Sequence, residues 1–247
     1  EEELAAFTGR SRALVFSSGY MANVGTLTAL IKKTDSIFED KLNHASLLDG
    51  GLFSRAKFKR YPHLDTEKLS ALLTSNNAGQ NTFIVSDGVF SMDGDCTPLP
   101  ALIDLANKHQ AQIILDDAHG FGVLGKHGKG LVEHFQEQGH QINENNLPVL
   151  IGTLGKAFGT QGAFVAGSDD LIESLIQTCR PYIYTTALAP ALAEATRVSL
   201  RIIENEHERR EHLQKLIARF RKHCLQLGFS LTDSFTPIQG LILGTAQ

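Results

Sequence analysis

A lysine stands between two glycines in Gly152-Thr153-Leu154-Gly155-Lys156-Ala157-Phe158-Gly159, directly after an apolar run. Glycines let backbone come close to a bulky ligand and turn tightly. An amine held there can form a Schiff base with a carbonyl compound once it has lost its proton. The segment is not a P-loop, because the spacing G-x-x-x-x-G-K-[ST] is missing. A second group is Asp116-Asp117-Ala118-His119, which follows the run Ile113-Ile114-Leu115. A carboxylate at the end of a buried strand needs a cationic or protonated partner to offset its burial. Asp116 and His119 also have the types of a metal-ligand pair, but no third ligand motif follows nearby, so no metal is expected.

Three further segments could complete a site. In Ser17-Ser18-Gly19-Tyr20-Met21-Ala22-Asn23 a strand turns into a helix, where backbone N–H groups and hydroxyls make an anion site. Ser18 equally suits plain helix capping. Asn43-His44-Ala45-Ser46 enters another helix, and His44 reads either as a flat binding face or as a capping-region histidine. The turn from Asp87 to Asp95 is acidic and contains Ser91. Taken together, the segments ask for one ligand with a phosphate for the Gly19 turn, an aldehyde for Lys156, a ring nitrogen for Asp116 and a flat face for His44. Pyridoxal 5′-phosphate (PLP) meets all four demands.

The elements that must carry these groups alternate between short apolar runs and longer amphipathic stretches, the pattern of a parallel α/β fold. The runs predict strands at 13–16, 36–40, 57–61, 82–86, 112–116, 149–153 and 163–166. Helices are predicted at 21–31, 45–52, 66–73, 100–108 and 170–178. A long helical stretch opens at Pro190 and runs to about Gln226, with the charged run Glu204 to Arg210 read as a solvated face or connector. Two short strands follow at 229–232 and 241–244. These elements predict a large domain over 1–185, then a connecting helix and an incomplete small domain over 186–247.

The chain has 247 residues, 42% hydrophobic and 20% charged, which is a globular composition and not a disordered one. Lys and Arg number 23 against 27 Asp and Glu, a net charge of −4 that leaves no footprint for nucleic acid or an anionic membrane. No apolar run reaches the roughly 18 residues of a membrane-spanning helix. Cys96, Cys179 and Cys224 lie far apart and form neither a disulfide framework nor a zinc motif, as expected for reduced thiols in a cytoplasmic protein. The chain opens on Glu1-Glu2-Glu3 without Met, inside what reads as a helix, as expected for part of a longer chain.

The strings FSSGYMAN, NHASLLDG, SDGVFSMDGD, DDAHGFGVLG, TLGKAFG and RPYIYTTAL, in that order, make the chain similar to the α-oxoamine synthases, a family of fold-type I PLP enzymes. The resemblance implies a mostly parallel seven-stranded sheet between helices. By the same resemblance Lys156 matches the Schiff-base lysine and Asp116 the carboxylate at the pyridine nitrogen. His119 matches the histidine at the phenolic oxygen, and His44 the one stacked on the ring. Ser18, Gly19, Tyr20 and Thr153 match positions around the phosphate, and Ser91 one near the phenolic oxygen. Thr185 and Thr186 match a segment that reaches the cofactor of a neighbouring subunit, which implies a homodimer with shared sites. The implied reaction is a decarboxylative condensation of L-alanine with a pimeloyl thioester, carried on CoA or a carrier protein. Sister branches that use glycine or serine with other acyl thioesters stay open, as does a non-catalytic subunit of the same fold. The family also has a C-terminal arginine for the substrate carboxylate, which no residue of this chain matches.

Overall fold

The computed structural model describes residues 1–76 and 80–244. Its elements run α1 (Glu2–Thr8), β1 (Arg12–Phe16), α2 (Gly19–Leu30), β2 (Ser36–Asp40), α3 (Ala45–Ser54), β3 (Lys57–Tyr61), α4 (Thr66–Thr74) and β4 (Thr82–Asp87). There follow α5 (Leu99–His109), β5 (Gln112–Asp116), α6 (Leu131–Glu137), β6 (Val149–Thr153), β7 (Ala163–Gly167) and α7 (Asp169–Thr178). The last are α8 (Arg180–Ile183), α9 (Pro190–Asn205), α10 (His207–Gln226), β8 (Ser230–Leu231) and β9 (Leu241–Ile242).

Seven strands form one sheet in the order β1-β7-β6-β5-β4-β2-β3. All pairs are parallel except those of β7, which runs antiparallel to both β1 and β6. Alternating side chains feed two cores, as a strand's period of two requires. Ile113 and Leu115 join Ile84, Leu150 and Phe164 on one face, packed with α1, α5 and part of α9. Ile114 joins Val85, Ile151 and Val165 on the other, packed with α2 and α7. Covering on both faces is why β5 reads as an unbroken apolar run.

The sequence reading overlooked α6 and α8, which are too short to show a periodicity. It also ran one helix through the charged segment, where the structure breaks it at Glu206 (φ −104°, ψ 70°). Arg210, read as solvated, is buried there. Its guanidinium donates to the Ile203 carbonyl at 2.7 Å and to the Lys126 carbonyl at 2.7 Å, satisfying an acceptor that the end of α9 would otherwise orphan.

One buried carboxylate predicts a pH-dependent stability. Every residue of β2 is buried, and neither Glu39 oxygen has a hydrogen-bond partner among the described residues. The nearby Asn43 amide spends one Nδ2 proton on Val85 O and its Oδ1 on the Asp87 N–H, leaving one proton to face Glu39. Burial, only partly offset by Asn43 and Arg60, pushes Glu39 up from 4.5 to about 8. Between those values the folded chain holds a proton that the unfolded chain has lost. Stability therefore falls as pH rises through that window, by at most roughly 1.4 kcal/mol per pH unit from this group. Glu39→Gln is expected to remove that share of the slope, read from urea midpoints at pH 5 and pH 8.

Candidate active site

The carboxyl ends of all strands but β7 lie along one edge of the sheet, where open α/β folds place their ligands. Asp87 at the end of β4 is level with Asp116 at the end of β5, and Asp116 is level with Ile151 two residues before the end of β6. Beyond β6 the chain turns through Leu154 and Gly155 to Lys156. Beyond β1 it passes Ser17 and Ser18 into α2, and beyond β2 it turns into α3 at His44.

A cleft open to solvent forms between these ends. It brings together seven of the expected residues: Gly19, Tyr20, His44, Asp116, His119, Thr153 and Lys156. Lys156 Nζ lies 2.8 Å from His119 Nε2. Loss of water lowers the Lys156 amine from the ordinary lysine value, while Asp116 and Asp87 pull it up. Burial, with Lys156 and His44 adding to it, pushes His119 down to about 4, so at neutral pH its ring is neutral and Nε2 can accept from the lysine. Asp116 is 7% exposed and accepts from Asn23 Nδ2 at 2.6 Å and from the Ala118 N–H at 3.0 Å. His44 caps α3 through its ring, and its backbone N–H donates to Asp87 Oδ2 at 2.8 Å. Burial and the neighbouring Asp116 hold Asp87 well above the usual carboxylate range, against that hydrogen bond and the charge of Lys156.

The loop after β5 is held by Asp117, which is fully buried and accepts from the Leu131 N–H at 2.6 Å. Burial pushes Asp117 up to about 8. Gly130 (φ 85°) is required beside it, because a Cβ there would meet Asp117 Oδ2 at 2.1 Å. At Gly19 a Cβ would meet nothing nearer than Thr153 Oγ1 at 4.0 Å. The backbone at the start of α2 therefore faces open space, as a cradle for an anionic group requires.

Four expected residues do not line this cleft. Ser18 caps α2, its Oγ accepting from the Met21 N–H at 3.2 Å. Ser91 lies in the turn after β4, half-buried. Thr185 and Thr186 are exposed and line a separate recess with Ser17 and Leu188. Conversely, the sequence reading gave no role to Asn23, Ser46 and Asp87, which do line the cleft. Asn23 stands four residues after Gly19, a spacing that puts the two on one helix face and could have flagged it. Among the described residues, the side chains close enough to share a metal ion are His63, Asp93 and Asp95, a group without Asp116 or His119. Both His63 nitrogens are already held, by Asp40 and by Asp95.

The residues present suit PLP. They offer an amine with lowered proton affinity, a buried carboxylate that accepts from Asn23 and Ala118, a neutral histidine beside the amine, and an open helix start next to a hydroxyl. The family model for aminotransferase class I and II matches residues 1–247. The 8-amino-7-oxononanoate synthase of Cellvibrio japonicus is 56% identical over 245 residues, 99% of this chain and 60% of its own length. That of Pseudomonas syringae pv. tomato is 57% identical over 246 residues, 100% and 60% respectively. Among solved structures, serine palmitoyltransferase from S. paucimobilis with bound PLP–myriocin aldimine overlaps with a TM-score of 0.92 at 32% identity, over 99% of this chain and 62% of its own. The 8-amino-7-oxononanoate synthase from Francisella tularensis overlaps with a TM-score of 0.86 at 39% identity, over 100% and 70%. The chain spans about 60% of the length of the first two relatives.

Proposed function

Because the chain belongs to the aminotransferase class I and II family, with the expected fold-type I architecture, we propose that it is the cofactor-bearing part of a PLP-dependent acyltransferase of biotin biosynthesis. The reaction is the condensation of L-alanine with a pimeloyl thioester, releasing CO₂, the free thiol carrier and 8-amino-7-oxononanoate. The observation that carries the reading is the convergence of Lys156, His119, Asp116 and His44 on one cleft. The named synthases at 56% and 57% identity support the choice of branch.

Bound PLP supplies an aldehyde for an amine to capture and a ring that draws electrons from the substrate α-carbon. Lys156, with its lowered proton affinity, offers the free amine and afterwards moves the proton at the α-carbon. His119 holds that amine in place from Nε2 and meets the phenolic oxygen. Asp116 keeps a proton on the ring nitrogen by opposite charge. His44 gives the ring a flat face. Gly19, Tyr20 and Thr153 hold the phosphate, with Ser18 shaping the start of α2. By the family resemblance Ser91 would lie near the phenolic oxygen, and Thr185 and Thr186 would serve the partner's cofactor in a homodimer. In this reading residues 1–185 form the PLP-binding domain, and 186–247 form the connector and part of a small domain, whose last three residues lie outside those described. The enzyme is read as cytoplasmic. Among the described residues no helix is long and apolar enough to cross a membrane, and all three cysteines are unpaired.

The overlap with serine palmitoyltransferase makes substrate choice the point to test. L-alanine, glycine and L-serine would be offered with pimeloyl, acetyl, succinyl and palmitoyl thioesters, with CO₂ and free thiol as readouts. The expected result is a kcat/KM for L-alanine with the pimeloyl thioester at least about tenfold above every other pair, since a single methyl is worth about 1–3 kcal/mol. A preference for glycine or serine pairs would move the chain to a sister branch. Silence towards every pair, in protein that stays colourless with PLP, would remove the enzyme reading.

A further inference from the structure

The cleft holds a chain of donors that the proposed chemistry does not use. Asn23 is 1% exposed, and its Nδ2 donates to Asp116 Oδ2 at 2.6 Å and to Ser46 Oγ at 2.8 Å. An amide nitrogen carries two protons, so both are spent. Its Oδ1 is buried with no partner among the described residues. Turning the amide over would set that oxygen against the Asp116 carboxylate, so charge fixes the orientation. Ser46, fully buried, accepts at Oγ from Asn23 and has one proton left. Its other neighbour is His44 Nδ1, 2.6 Å away. The Ser46 backbone N–H also points at that nitrogen, at 3.3 Å. Two donors aimed at one ring nitrogen leave it no place for a proton of its own.

We infer that Asn23 and Ser46 are positioning residues that join Asp116 and His44 in one directional hydrogen-bond chain and fix His44 as the Nε2–H tautomer. The inference rests on the proposed PLP reading for its purpose, since Asp116 and His44 are the two groups meant for opposite aspects of that ring, its nitrogen edge and its face. They stand on different elements, the end of β5 and the start of α3, and Asn23 from α2 joins them, bonding Asp116 directly and His44 by way of Ser46. Moving one group therefore disturbs the other. With Nδ1 spent inward, the ring's only proton sits on Nε2, the nitrogen left to meet substrate.

The test is a long-range ¹H–¹⁵N spectrum of histidine-labelled protein, without PLP and then loaded with it, His44 being assigned by the signals lost in His44→Gln. The wild-type protein should show unprotonated Nδ1 and protonated Nε2 in both states. Ser46→Ala should lose this single pattern, and Ser46→Thr, which keeps the hydroxyl, should recover it. Asn23→Leu should loosen it by removing the donor that fixes the Ser46 hydroxyl, leaving that oxygen free to accept from His44 Nδ1 instead. A wild-type His44 with its proton on Nδ1 overturns the inference without any variant having to fold. So does an unchanged His44 pattern in both Ser46→Ala and Asn23→Leu. PLP absorbance on the same samples separates the two ideas. The expected tautomer in protein that takes up no PLP would sink the proposed function and leave the donor chain standing.

Discussion

Lys156→Ala is expected to leave the fold intact and to cut turnover by at least about 10⁴-fold. That is the upper end of what one positioned proton-transfer group supplies, and covalent capture of the cofactor is lost with it. The fold should survive because Lys156 is an exposed residue whose amine, among the described residues, bonds only to His119 Nε2. Changes at such positions alter stability by about 0.5 kcal/mol or less. Steady-state CO₂ release and a urea titration on the same sample measure both halves of the claim. Turnover within tenfold of the unaltered protein would refute the role given to Lys156.

Asp116→Asn has the second-largest expected effect, a loss of about 10²–10³-fold in kcat, the size usual for one preorganised electrostatic contact. An asparagine keeps the shape and an oxygen for the Ala118 N–H, but it sets an NH₂ group against Asn23 Nδ2, so the lesion is the charge together with that one hydrogen bond. Its neighbours should respond with definite sign. Lys156 loses one of the two carboxylates that pull its amine up, so its proton affinity falls further. Asp87 loses the charge that adds to its burial, so its proton affinity comes down towards the ordinary range. A lysine acting as base is then free at lower pH, and the acid limb of the residual pH–rate profile should move down. A kcat within threefold, or an acid limb that moves up, would contradict this.

How much of this was legible beforehand varies from residue to residue. Lys156, Asp116 and His119 could be read because reactive types follow apolar runs, and strand ends place such residues on a common edge. The sheet was legible for the same reason: Ile113, Ile114 and Leu115 have no polar face, so β5 had to be central. Asn23, Ser46 and Asp87 were not legible. Each matters through a contact between elements far apart in sequence; the spacing from Gly19 could place Asn23 on the right helix face, but no local spacing records its bond to Asp116 or the contacts of Ser46 and Asp87. Ser18 showed both an anion-binding and a capping signature, and the hydrogen bond from Met21 accounts for the second. The break at Glu206 was hidden because charged residues suit a continuous helix, while its cause, Arg210 reaching back to Ile203 and Lys126, is tertiary.

The central claim is covalent capture of PLP by one amine beside a buried carboxylate. It is tested most directly by loading the protein with PLP, reducing with borohydride and locating the added mass by peptide mass spectrometry. The account predicts a yellow protein whose visible band disappears on reduction, with the mass on the peptide carrying Lys156 and none in Lys156→Ala. Protein that stays colourless after loading, or an added mass on another lysine, would contradict it.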